Sequence, residues 1–167
     1  AFYEGEVLDD MLTVLNGLGG LHAAEDFAAT ATTVSDTICA DYRGRTLHEC
    51  PPNGQGLAAL IMARLLDGFD LSDPALSAAD RIHLLAEATK TAYRQRDAWI
   101  ADRDAMTVTV DEILAEPRIA ALRDRISMDR ASDPADLDMP VHRDTVCVTV
   151  ADRDGNVISL INSIFFA

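Results

Sequence analysis

A chain of 167 residues, 49% of them apolar, has the length of one domain and enough apolar side chain for a core, which excludes disorder and a small disulfide-held scaffold. Its 28 acidic residues against 14 basic ones give a formal charge of −14 with no long basic run, so nucleic acid and anionic membrane surfaces are excluded as partners. No apolar stretch approaches the roughly 20 residues that cross a bilayer, and the N-terminus lacks the basic-then-apolar layout of a signal peptide.

In chain order, Val7, Leu8, Met11, Leu12, Leu15 and Leu18 recur at helical spacing and predict a helix over about 4–18, closed by Gly17, Gly19 and Gly20. A short helical turn is expected over 23–29, then loop over 30–35. Residues 37–40 and 46–49 flank Asp41-Tyr42-Arg43-Gly44-Arg45 and predict an antiparallel hairpin. Pro51-Pro52-Asn53-Gly54-Gln55-Gly56 ends the second strand and leads into a helix carrying Leu57, Leu60, Ile61, Leu65 and Leu66 up to Gly68. The glycine order in that loop fits neither a Walker loop nor a dinucleotide fingerprint, so it reads as helix entry.

Ser77 is placed as the N-cap of a long helix over about 78–102, with Ile82, Leu85, Ala88, Ala92 and Trp99 or Ile100 on the buried side. Arg81, Glu87, Lys90, Arg94 and Arg96 are expected to solvate the opposite side. Two short helices follow, over 111–114 and 117–125, the second with proline in its permitted first turn. Residues 127–143 carry two prolines, several aspartates and little periodicity, the composition of an exposed linker.

Cys39, Cys50 and Cys147 lack CxxC spacing and read as buried free thiols, and the four histidines have no ligand spacing, so no metal and no cofactor is expected. The chain ends in two alternating strands, from Val146 and from Val157, joined by Asp152-Arg153-Asp154-Gly155. The turn resembles the start of a calcium loop, but the twelfth position falls on Ser163 instead of glutamate. Both strand faces are largely apolar, which predicts covering layers on both sides. Thr145 opens the first strand directly after the linker. A threonine freed at its amino side becomes nucleophile and base in one residue; taken alone, it is an ordinary β-branched strand residue.

Phe2-Tyr3-Glu4-Gly5-Glu6, Gly19-Gly20-Leu21-His22-Ala23-Ala24-Glu25-Asp26-Phe27-Ala28, Asp41-Tyr42-Arg43-Gly44, Pro51-Pro52-Asn53-Gly54-Gln55-Gly56, and Thr145 followed by Val150-Ala151-Asp152-Arg153-Asp154-Gly155-Asn156 stand in one order. In that order the chain resembles the γ-glutamyltranspeptidases and the related cephalosporin acylases over nearly its whole length. The resemblance implies an α+β fold, part of the αββα sandwich of N-terminal-nucleophile hydrolases. It further implies a precursor that cleaves itself between Asp144 and Thr145, with 1–143 as the later part of a large subunit and 144–167 as the start of a small one. The apolar start and end of the chain fit a segment of such a larger protein.

By the same resemblance, Ser163 stands where the family places a hydroxyl near the nucleophile. Cys147 and Val146 replace the usual histidine and second threonine of transpeptidases. Phe165 replaces an asparagine that holds the polar end of a glutamyl substrate, which points to the acylase-like branch and to another acyl amide as substrate. Asn162 is a further candidate polar contact. The oxyanion-hole residues of the family lie outside this sequence, so the segment alone is expected to be inactive. The alternative reading is a non-catalytic member or an interaction unit in which Thr145 stays uncut.

Overall fold

The computed structural model describes residues 2–133 and 146–162, with the side chain of Asn162 outside that set, and divides into two compact units between Thr37 and Ile38. The first unit holds α1 (Glu6–Gly17) and α2 (Ala24–Ala28), as the spacing predicts. Leu8 is the buried residue of α1. The helix closes on Gly19, at φ +86°, with the Gly19 and Gly20 amides donating to the Asn16 and Leu15 carbonyls at 3.0 and 2.9 Å. This is a Schellman cap, which needs a left-handed residue that glycine adopts without strain. At the start of α2 the Ala23 amide donates to Asp26 Oδ2 at 2.8 Å.

In the second unit, β1 (Ile38–Tyr42) pairs antiparallel with β2 (Arg45–Glu49). The hairpin is tighter than expected, because the strands run on to Tyr42 and Arg45 and leave Arg43 and Gly44 as the turn. Both have positive φ, +48° and +74°, the mirror-image turn whose twist matches that of the strands. Arg43 is held there by its amide, which donates to Asp67 Oδ1 at 2.9 Å, and by its guanidinium on the Phe69 carbonyl. Those contacts tie the turn to the end of the next helix.

That helix, α3 (Gly56–Asp67), is the centre of the unit. Leu57, Leu60, Ile61 and Leu65 are wholly buried, and Ile113, Ile119, Leu84, Ala88 and Ala92 pack into the same core. Burial of each large aliphatic side chain contributes about 1.5–3 kcal/mol. Arg123 closes the C-terminal end of α3 by donating to the Leu65 and Arg64 carbonyls at 3.2 and 2.9 Å.

The long helix α4 (Ala78–Trp99) opens as expected on Ser77: the Asp80 amide donates to Ser77 Oγ at 3.1 Å, and the Ser77 amide to Asp80 Oδ2 at 2.8 Å. It stops three residues earlier than expected, where Ile100 turns extended. Its buried stripe also differs. Leu84, Ala88 and Ala92 face inward, whereas Ile82 and Leu85 are 67% and 44% exposed. The alanines belong to both possible stripes, and packing against α3 selects the one containing Leu84. Arg81 does not simply solvate the surface, since its guanidinium donates to the Leu71, Asp73 and Leu76 carbonyls and closes the preceding loop.

Two short helices complete the helical part, α5 (Val110–Leu114), capped by Thr109, and α6 (Glu116–Arg123), with Pro117 in its first turn. At the C-terminal end, β3 (Val146–Ala151) pairs antiparallel with β4 (Val157–Asn162). The expected covering layers are absent among the described residues: every residue of β3 is exposed, and Ile158, Leu160 and Ile161 of β4 are 60–66% exposed. The cysteines also depart from expectation, since all three are exposed thiols.

Burial divides the stability of this chain unevenly. Leu65→Ala should lower the unfolding free energy by about 2–5 kcal/mol, whereas Leu160→Ala should change it by less than about 0.5 kcal/mol; urea denaturation of the two variants measures both.

Candidate active site

The strand expected to follow the nucleophile begins at Val146, and its register is set by a run of pairs from Val146 with Asn162 to Ala151 with Val157. Directly opposed residues of an antiparallel pair share a face, and neighbours along each strand alternate. One face therefore carries Val146, Val148, Val150, Ile158 and Leu160. The other carries Cys147, Thr149, Ala151, Val157, Ser159 and Ile161, and here Cys147 Sγ lies 3.6 Å from Ser159 Oγ. Thr149 and Ser159 thus share a face with Cys147, while aliphatic residues stand on both faces.

Asp152 organises the connecting turn. Its Oδ1 accepts from the Asp154 and Asn156 amides, each at 2.9 Å, and its Oδ2 accepts from Asn156 Nδ2 at 2.8 Å. The Asn156 bonds in particular hold the carboxyl below the ordinary aspartate range. The carboxylate is therefore occupied as a turn brace. Among the described residues no group of three His, Cys, Asp or Glu side chains is placed to hold a metal ion. No described helix is long and apolar enough to cross a membrane.

Of the residues singled out for chemistry, Asp144, Thr145, Ser163 and Phe165 lie outside the described residues, as does the linker from 134 to 143. Asn162 is the last residue of β4 and is paired with Val146. The nearer part of the linker, 127–133, is described. It is exposed along most of its length, as expected, yet its main chain is fastened to α4. His83 Nε2 lies 2.7 Å from the Ser127 carbonyl oxygen, Lys90 Nζ donates to the Ser132 carbonyl at 2.8 Å, and Arg94 donates to the Asp133 carbonyl.

Glu87 is the centre of this attachment and the charged residue that the sequence reading misplaces. It is 2% exposed, forms an ion pair with Lys90, and accepts the Ser132 amide at 3.2 Å from each carboxylate oxygen. Burial disfavours its charge, but the hydrogen bonds from Lys90 and Ser132 prevail and hold its carboxyl below the ordinary glutamate value. Ser132 Oγ is buried without a hydrogen-bond partner among the described residues, so the attachment is made through main chain. The signal was present in the spacing: Glu87 follows Leu84 by three residues and precedes Ala88, inside the stripe that packs against the core.

One other sequence motif proves to be a brace of the same framework. Asn53 Nδ2 donates to Asp102 Oδ1 at 2.8 Å, and Arg96 donates to Gln55 Oε1 at 3.1 Å, which tie the proline-glycine loop to the far end of α4. Between the first hairpin and α5 lies an open depression of about 280 Å³ lined by Cys39, Ala40, Asp41, Arg64, Asp111 and Leu114. It lies apart from β3 in its lining residues.

Helices packed on a small antiparallel hairpin, with a further hairpin at the C-terminal end, form part of the N-terminal-nucleophile hydrolase fold. The chain is similar to the cephalosporin acylase of Bacillus halodurans, with a TM-score of 0.77 and 29% identity over 99% of this chain and 30% of that one. It is likewise similar to the γ-glutamyltranspeptidase of Helicobacter pylori, with a TM-score of 0.66 and 26% identity over 78% of this chain and 38% of that one. The family model described as gamma-glutamyltranspeptidase matches residues 1–167, and the chain belongs to that family. It is 30% identical, over 99% of its length, to the glutathione hydrolase-like YwrD proenzyme of Bacillus subtilis, and 31% identical, over its full length, to the acylase ACY 1 proenzyme of Pseudomonas sp. strain SE83. It spans 31% of the length of each of these two relatives.

The depressed Glu87 value fixes a direction for pH. A carboxyl with a lower pKa folded than unfolded contributes stability above the unfolded value, and that contribution is lost as pH falls through the folded one. Glu87→Gln should therefore be less stable than wild type at pH 7, and the two should converge as pH falls well below about 4.3; urea melts across that range measure the gap.

Proposed function

We propose that this chain is part of a self-processing amide hydrolase or acyltransferase, with Thr145 as its nucleophile and the bond between Asp144 and Thr145 as its cleavage site. The observation that carries the reading is the start of β3 at Val146, immediately after Thr145, in a chain whose whole length matches the family. Ser163 is proposed as the hydroxyl beside the nucleophile and Asn162 as a further polar contact. The names of the relatives as proenzymes agree with processing.

In the precursor the Thr145 hydroxyl attacks the Asp144 carbonyl carbon. The C–N bond breaks as the ester forms, and the Thr145 nitrogen takes the hydroxyl proton. Water then hydrolyses the ester, which leaves Asp144 as a carboxylate and Thr145 with a free α-amine and its hydroxyl restored. In turnover that amine takes the proton as the hydroxyl attacks a side-chain amide, and it returns the proton to the leaving amine. Water or an amine acceptor releases the acyl group. On this reading residues 1–143 belong to the larger product and 144–167 span the cut and the start of the smaller one.

Phe165 in place of the family's asparagine supports an acyl group without the amino-acid head of γ-glutamyl, such as a glutaryl amide. An aromatic ring offers no amide donor or acceptor to that head. The oxyanion-stabilising residues fall in the remainder of the relatives' length. Loss of one such donor costs about 2.7–4 kcal/mol of barrier lowering, so the 167-residue chain by itself is proposed to be inactive.

The reading is tested in the protein extended to the length of its relatives. Intact-mass measurement should show two products separated between Asp144 and Thr145, and Thr145→Ala should remain one chain. A single uncut wild-type chain would contradict the proposal. For the substrate, glutaryl-anilide turnover should exceed that of the γ-glutamyl compound by at least about tenfold, a difference of about 1.4 kcal/mol in the barrier; activity confined to γ-glutamyl-anilide would overturn the reading of Phe165.

A further inference from the structure

The attachment of 127–133 to α4 has a chemical form that a simple surface contact does not require. Glu87 accepts the Ser132 amide while Lys90 donates to the Ser132 carbonyl, so a buried carboxylate and its half-buried cation grip both polar groups of one peptide residue. Arg94 holds the next carbonyl, that of Asp133. The grip is made on main-chain groups, and Ser132 Oγ is buried without a hydrogen-bond partner among the described residues. Burying a carboxylate is unfavourable unless it is paired and hydrogen-bonded, and Glu87 is 2% exposed in a stripe otherwise made of Leu84, Ala88 and Ala92. The core-facing carboxylate is thus committed to holding this stretch of chain.

We infer that Glu87 and Lys90, with Arg94, are positioning residues for self-cleavage: they fix the point at which the segment leading to Thr145 leaves the helical layer. The inference rests on the proposed processing between Asp144 and Thr145. Its physical basis is loop closure. Asp133 is the last held residue among those described and precedes Thr145 by about 12 residues in sequence, whereas Ser127, held by His83, precedes it by about 18; by chain-entropy scaling the nearer hold favours bringing the bond into place by up to nearly a factor of two. A fixed exit also restricts the direction of approach, which an N-to-O acyl shift needs because its attacking and attacked atoms must be held in line. Once the bond is cut, the tail ending at Asp144 no longer leads to the nucleophile. Turnover by the processed enzyme should then be indifferent to the grip.

The test is a time course of cleavage in the protein extended to its relatives' length, followed by intact mass. Glu87→Gln combined with Arg94→Ala, which leaves Lys90 on the Ser132 carbonyl, should cut more slowly than wild type by up to about twofold, and after complete processing should show wild-type kcat/KM. Two substitutions at one position separate positioning from folding. Ser132→Pro, which removes the gripped amide, should slow cleavage like the double variant. Ser132→Ala, which keeps the amide and loses only an unpartnered hydroxyl, should cut at the wild-type rate. Lys90→Arg should cut faster than Lys90→Met, because it retains a donor for the Ser132 carbonyl. Cleavage at the wild-type rate in both the double variant and Ser132→Pro would overturn the inference while leaving the proposed nucleophile intact. Equal losses in cleavage rate and in kcat/KM would also overturn it, since they would mark a general structural role. A wild-type chain that never cuts would remove the proposed function and this inference together.

Discussion

The burial of α3 is the constraint on which the second unit depends. Leu57, Leu60, Ile61 and Leu65 lie on more than one side of the helix and are all wholly buried, so α3 needs partners around most of its circumference. Those partners are the β1–β2 hairpin, α4, α5 and α6. Its C-terminal end is held twice, by Asp67 on the Arg43 turn and by Arg123 on the Arg64 and Leu65 carbonyls. Position and rotation of α4 follow from this packing, because the stripe of Leu84, Ala88 and Ala92 is the one that meets α3.

The rotation of α4 links core packing to the proposed chemistry. Turning Leu84 inward also turns Glu87 inward, where a carboxylate is tolerable only with a cation and hydrogen-bond donors around it. Lys90 and the Ser132 amide meet that need. The chain that leaves α6 is thereby drawn back along α4 before it continues toward β3. A demand for charge compensation in the core thus becomes a fixed departure point for the segment preceding Thr145.

Much of this framework is readable from residue spacing because local and tertiary preferences agree. Ser77 and Thr109 cap the helices they precede, Pro117 sits in a first turn, and Gly19 closes α1, each for reasons confined to a few neighbouring residues. The misses arise where a choice depends on distant chain. Ala88 and Ala92 fit two helical stripes, and only α3 decides between Ile82 and Leu84. Glu87 looks like a solvated charge until Ser132, far along the chain, supplies its partner. The cysteines read as buried small apolar residues, but Cys39 stands on the side of β1 opposite buried Ala40, and Cys147 lies in β3, where every residue is exposed. The aliphatic face of β3 and β4, with Val146, Val148, Val150, Ile158 and Leu160, carries the pattern of a covered sheet yet lies open among the described residues. The chain spans 31% of the relatives it matches over nearly its full length.

The family and its fold rest on the whole chain, whereas the proposed chemistry turns on one bond. N-terminal sequencing of the smaller product from the protein extended to its relatives' length tests that bond most directly. The account predicts a single new terminus reading Thr145-Val146-Cys147-Val148-Thr149. A product beginning at any other residue would contradict Thr145 as the freed nucleophile.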